Sequence, residues 1–380
     1  MASSQHFTAE DYTVALICSM PVEQATVTAL LDEDHRDLRT TTLGVYSYTY
    51  GRIHKHNIVI AAPLIPGKTS TASVAMQVHN DFRNLQFGLL IGIGGGVPDI
   101  EHGFDIRLGD VVVSKPEESF GGLVQFSRGK APAGGKFERT GSLNSPPHAI
   151  LATVGGLEGV HRQVDSEILT FLEAILQRYP ITKAGGYVYQ GAENDQLFRA
   201  EVEHDAFNRT CDGCETAGLV QRTPRTSLLP VIHYGTIGSS DAVIKDGLLR
   251  DKIRDDLGIC CIETEAAGLM ESFPCLVIRG ISDYADSHKN DRWQPYAAAA
   301  AAAYAKVLLS CIPVLNRPQD NRSHRGETVF CVGNARNLLS GSAHEDVVGG
   351  DKVLGNRVSG SRVWSNGTNK YDHQFWYTGI

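Results

Sequence analysis

The chain has 380 residues, a formal charge of −8 and 42% apolar residues. That is enough for one large domain or two ordinary ones, and an acidic balance with no basic block argues against a duplex-binding surface. The opening MASSQHFTAEDYTVALICSM lacks the basic-then-apolar order of a secretory signal, and no apolar run reaches the roughly 20 residues that span a bilayer. The expectation is therefore a cytoplasmic protein with neither nucleic acid nor membrane as a partner. Cys18, Cys260, Cys261, Cys275 and Cys311 sit in apolar runs, as reduced core thiols do.

Strands and helices alternate from the start. TVALIC reads as a buried strand, and PVEQATVTALL follows with apolar residues at helical spacing and Pro21 in the first turn. NIVIAAP, FGLLIGI and LGDVVVS read as further strands, with GKTSTASVAMQVHNDF as a helix among them. Residues 115–150 are rich in Gly, Pro and Ser and read as loop with short hairpins; VDSEILTFLEAILQRY is an amphipathic helix. Residues 187–228 break the rhythm and form an inserted excursion carrying a CxxC, Cys211 and Cys214. VIHYGTIGS, GICCIE and PCLVIRGIS then read as strands, separated by the helices KDGLLRDKIRDDL and TEAAGLMES. WQPYAAAAAAAYAKVLLSCI is a long helix rich in the best helix former. Residues 318–380 are low in apolar period and rich in Gly, Asn and Ser, and read as a disordered tail or a weakly self-pairing β segment. Short apolar strands between helices indicate a mostly parallel sheet covered on both faces.

In such a sheet, ligands bind beyond the carboxyl ends of strands. Glu23 lies one turn past the first strand, the glycines of IGIGGG end the third, and Glu263 and Glu265 follow GICCI. Ser282 and Asp283 follow PCLVIRGI. Each has a plainer reading: a first-turn acid favoured by the helix dipole, a turn residue, a tight glycine turn. Their joint occurrence at strand ends points to one crevice.

ICSMPVEQ, IGIGGGV, LGDVVVS, CIETEAAGL and LVIRGISDYAD, in this order, resemble the purine nucleoside phosphorylase and nucleosidase superfamily over about residues 12–312. GVPDIEHGFDIRLGDVVVS, FERTGSLNSPP and the CDGC excursion are similar to the branch found in fungi ahead of larger regulatory chains. The resemblance implies an α/β, three-layer nucleoside phosphorylase-like fold over residues 12–314, with a central mixed, mostly parallel sheet flanked by helices. It implies a purine nucleoside as small-molecule partner, a homo-oligomer, and no cofactor for the chemistry. It puts Asp283 at the purine N7 as acid, held by Ser282 and Arg279, and Glu265 on the ribose hydroxyls. Thr264 falls at the ribose face, Glu263 as an orienting group, and Ile93, Gly94, Val243 and Ile244 in the substrate-binding segments.

Phosphorylases bind phosphate with arginines and a Gly-Asp-Pro loop, neither of which stands here; Leu90–Ile91 occupy the arginine position. Glu23 instead matches the glutamate that activates water in nucleosidases, so the implied reaction is hydrolysis of the N-glycosidic bond. Arg107, Arg128, Lys68 or His102 would be needed for an unusual phosphate site and a phosphorylase. A non-catalytic nucleoside sensor is the remaining alternative. Val243 replaces a stacking phenylalanine, which leaves Phe120, Tyr189, Phe198 and Trp293 as candidates to stack on the base. Cys211 and Cys214, with His204, and His233 or Asp212 as further ligands, fit either a structural zinc, free thiols or a disulfide.

Overall fold

The computed structural model describes residues 6–35, 47–117, 119–130, 138–178, 185–205, 209–273 and 275–314. The compact unit is Met1–Arg317. The expectation for residues 318–380 lies outside the described residues. In chain order the strands are β1 (Val14–Ile17), β2 (Glu33–Asp34), β3 (Tyr48–Ile53), β4 (His56–Ala61), β5 (Phe87–Gly96) and β6 (Val111–Ser114). They continue with β7 (Leu123–Gln125), β8 (Gly129–Lys130), β9 (Glu138–Arg139), β10 (Ile232–Ser239), β11 (Ile259–Glu263) and β12 (Cys275–Asp283). The helices are α1 (Pro21–Ala29), α2 (Lys68–Asp81), α3 (His148–Glu158), α4 (His161–Arg178), α5 (Gly247–Leu257), α6 (Ala266–Leu269) and α7 (Gln294–Cys311).

One mixed sheet runs β11-β10-β6-β12-β5-β1-β4-β3-β2, with β7 beside β10. The pairs β1–β4, β1–β5, β5–β12, β6–β10 and β10–β11 are parallel, while β6–β12 and β3–β4 are antiparallel. The last glycines of β5 turn back onto β11, Gly95 against Ile262 and Gly96 against Cys261, which closes this half of the sheet on itself. Every residue of β1, β6, β11 and β12 is buried, the pattern of strands covered on both faces. Helices α1, α4 and α7 pack together, and α2 packs on α6. No helix among the described residues is long and apolar enough to cross a membrane.

Two readings of the sequence change. The third strand, read as FGLLIGI, runs on through the glycines to Gly96, and the TEAAGLMES helix shrinks to Ala266–Leu269. The hairpin β3–β4 and helix α3 add to the expected elements. The alanine run of α7 serves close packing as well as helix propensity. A methyl on Gly280 of β12 would collide with the Ala297 carbonyl, so helix and strand backbones nearly touch, and Ala297–Ala303 are all buried. The described part of 187–228 holds only three-residue helical turns and one isolated bridge, Phe198 to Leu219. It is fastened to the body by Arg222, which pairs with Asp195 at 3.0 Å and donates to the Tyr284 hydroxyl at 2.9 Å. Trp293 Nε1 adds a bond to the Asn194 carbonyl.

Candidate active site

The strand ends named from sequence meet in one cavity of about 260 Å³. Glu23 from α1, Ile93, Gly94 and Gly95 from β5, and Glu263, Thr264 and Glu265 after β11 line it. Ser282 and Asp283 from β12, and Val243 and Ile244 after β10, line it as well; of the expected set, only Arg279 stands behind the lining. Met20, Pro66, Ile262, Ala285, Lys289 and Gln294 also line it.

Glu23 is 2% exposed. Its carboxylate accepts from the backbone N–H of Ser19 (2.7 Å), Met20 (2.8 Å) and Ile93 (2.9 Å), which ties the end of β1 to the end of β5. The Arg279 guanidinium stands 4.0 Å from its Oε1. Gly92 makes that approach possible, since a Cβ there would strike both side chains. Burial pushes Glu23 up to about 7, against the pull of Arg279 and of the Ile93 N–H. Arg279 is shared with two other acids. Its Nη2 bonds Glu263 and lies 3.1 Å from Glu265 Oε2. Two unit charges 4 Å apart at an effective dielectric near 20 attract by roughly 4 kcal/mol, and less as separation grows. One cation closer to Glu263 and Glu265 therefore leaves Glu23 the least compensated of the three. Burial works against the charge of Arg279 itself, but Glu263, Glu265 and Glu23 outweigh it and hold its proton more firmly than usual.

Glu263 is fully engaged in support. It accepts from the N–H groups of Glu265 and Ala266 at the start of α6, besides Arg279, and its side chain has no exposed surface. Glu265 keeps acceptor capacity: Oε1 takes the Thr264 hydroxyl at 2.5 Å and Oε2 faces Arg279. Asp283 accepts from the Ser282 hydroxyl at 2.8 Å, the Ala285 N–H at 3.0 Å and the Lys289 ammonium. The support expected from Ser282 is therefore present. Arg279, expected beside Asp283, is instead drawn to the three glutamates, because on β12 it points into the buried acidic cluster four residues earlier. Lys289 takes that place; it was not singled out from sequence because only the folding of SDYADSHKN brings it back.

The phosphate alternatives do not gather here. Of the residues lining the cavity, Lys289 alone is cationic. Arg107 pairs with Asp105, Arg128 with Glu271, His102 with Asp99 and Lys68 with Asp241. None of the four aromatic candidates lines the cavity. Tyr189 packs edge-on against Trp293, Phe198 stacks on His288, and Phe120 belongs to a small cluster under the Arg139 guanidinium. The apolar wall is made by Val243, Ile244, Ile262 and Ala285. Of the zinc candidates, His233 is committed to Asp110 and Asp212 to Arg292, while His204 stands beside both cysteines. A larger cavity of about 340 Å³, beside the excursion, contains Arg107, Asp110, Asp195, Arg222 and Arg225. Its buried charges are matched to one another, Arg225 to Asp110 at 2.6 Å and Arg222 to Asp195 at 3.0 Å.

No protein-family model matches the chain. A nucleotide-binding leucine-rich repeat (NLR)-like protein of Hyaloscypha variabilis is 40% identical over 317 residues, 83% of this chain and 30% of that relative. The chain thus spans less than a third of that relative. A 5'-methylthioadenosine/S-adenosylhomocysteine nucleosidase of Mycobacterium tuberculosis is 26% identical over 312 residues, 80% of this chain and 98% of the enzyme. ATP nucleosidase Cap17 of Escherichia coli is 23% identical over 300 residues, 76% of this chain and 49% of the relative. The solved futalosine hydrolase of Helicobacter pylori has the same fold, with a TM-score of 0.50 at 16% identity over 79% of this chain and 98% of the hydrolase. The chain is thus similar to nucleosidases over most of its described length and has the fold of the nucleoside phosphorylase/nucleosidase superfamily.

Proposed function

We propose that this chain is an N-glycosyl hydrolase that cleaves purine ribonucleosides to free base and ribose. The observation that carries the reading is Glu23, a buried carboxylate near neutral pKa in the same cavity as Glu265 and Asp283. A base poised near the working pH suits activation of water. In the proposed reaction the C1′–N9 bond breaks as a proton passes from the Lys289 ammonium through Asp283, held by Ser282, to N7. Glu23 takes a proton from water, whose oxygen bonds to C1′. Glu265 accepts from the ribose hydroxyls, and Glu263, Thr264 and Arg279 hold Glu265 in place. Val243 and Ile244 form the apolar wall against the base, and the backbone of Ile93 and Gly94 lets the sugar approach closely.

Hydrolysis is favoured over phosphorolysis because the lining offers one cation, already paired with Asp283. The Glu23→Gln variant tests this: it should lose hydrolysis and keep nucleoside binding, and loss of binding instead would make Glu23 a substrate holder. Relatives named for methylthioadenosine and for ATP support an adenine nucleoside with a variable 5′ group. Exposed Leu64 and Ile65 adjoin Pro66 at the cavity, which supports a homo-oligomer covering this side. Light scattering that gave a monomer would remove that part. The NLR-like relative supports a second setting, in which cleavage or binding serves a regulatory chain.

A further inference from the structure

We propose that His204, Cys211, Cys214 and His288 bind one structural zinc ion that pins the excursion to the loop following β12. His204 Nδ1 lies 3.2 Å from Cys214 Sγ and 3.9 Å from Cys211 Sγ. One ligand atom each from His204, Cys214 and His288 fall within 4.8 Å of one another. Tetrahedral ligands at about 2.0–2.3 Å from zinc stand about 3.3–3.8 Å apart; His204, Cys214 and His288 already lie near that spacing, and Cys211, 3.9 Å from His204, moves in to complete the shell. Two thiols and two imidazoles are a donor set that suits zinc over harder cations.

His288 supplies the independent sign. It is 7% exposed, and its Nδ1 has no hydrogen-bond partner. A buried polar atom left alone is unfavourable, and a metal bond at that nitrogen would remove that cost. Its ring is already held: Phe198 stacks on it at 3.7 Å and 6°. The surroundings fix the other ligands as well. The His204 N–H donates to Ser287 Oγ at 2.9 Å, Asn290 approaches Cys211 Sγ at 3.7 Å, and Arg292 clamps Asp212 between the two cysteines at 2.7 and 2.8 Å. Such outer contacts orient metal ligands. A bound cation would displace the protons of both thiols. Two thiolates then cancel the charge of a divalent ion.

The site bears on the cavity through one residue. His288 precedes Lys289, the partner of Asp283. The ion would act by position and would not touch the glycosidic bond.

Metal analysis of the full chain, purified without chelator, should give about one zinc per chain. X-ray absorption of the bound zinc should show two sulfurs at about 2.3 Å and two nitrogens at about 2.0 Å. Cys214→Ser and His288→Asn should each lower zinc retention at least tenfold in dialysis. Because either variant could misfold, the wild-type chain is also titrated with a thiol-specific mercurial, which should release zinc as the two cysteines react. A purified chain free of zinc that fails to take up cobalt(II) would overturn the proposal. So would a Cys211–Cys214 disulfide by mass, an all-oxygen ligand shell, or full zinc retention in a folded His288→Asn variant.

Discussion

At Glu23 the cost of burial meets three backbone donors and a guanidinium 4.0 Å away, and burial wins, which places the carboxyl at about 7. A base must lose its proton before it can accept one from water. The kcat/KM of hydrolysis should therefore rise with pH along a limb with its midpoint at about 7. A profile flat from pH 5 to 9 would contradict this. The same shift bears on stability. The folded state holds this proton more tightly than the unfolded chain, so Glu23's contribution is present below about 4.5 and lost as pH rises through about 7. Asp283 and Glu265 carry different predictions. Asp283→Asn should fold and lose two to four decades in kcat, about 3–5 kcal/mol of barrier; an unchanged rate would remove it as the acid. Glu265→Gln gives up charge-assisted bonds to the ribose, each worth about 1.5–3 kcal/mol, and should lower kcat/KM roughly 10–100-fold. Parallel assays on the 2′-deoxyribonucleoside should find a smaller loss. Both acids were legible because they end apolar strands. Arg279 was legible as a site residue but not in its partners, because which acid a buried cation meets depends on the direction of one side chain.

The strands and helices were read well where the apolar period was long, as in β5, β12, α2 and α7. The errors follow from short-range ambiguity. Glycines 94–96 resemble a turn in sequence, yet they continue β5 because it must close onto β11, where side chains would collide with Cys261, Asp283 and Ile281. The aromatic residues were misplaced for a related reason. Tyr189, Trp293 and Tyr296 satisfy one another edge to edge, and sequence does not say whether a ring meets a ligand or another ring. The approach of α7 to β12 yields a direct test. Gly280→Ala places a methyl against the Ala297 carbonyl, and should destabilise the chain by about 3 kcal/mol, the upper end for overpacking. Chemical denaturation reads this, and an unchanged midpoint would mean the helix can move away at little cost.

For the whole molecule, the cavity and the fold give a consistent picture. A buried acidic cluster organised by one arginine faces an apolar wall and an aspartate–lysine pair, all at the carboxyl ends of a mixed sheet. Sequence carried the superfamily because several motifs recur in order at those strand ends. The central claim is that water attacks the sugar. It is tested by incubating the purified chain with adenosine, inosine, guanosine and ATP, with and without inorganic phosphate, and identifying the sugar product. The account predicts free base with ribose, or with its 5′-phosphorylated form, at the same rate whether or not phosphate is present. Formation of ribose 1-phosphate, and only when phosphate is supplied, would contradict it.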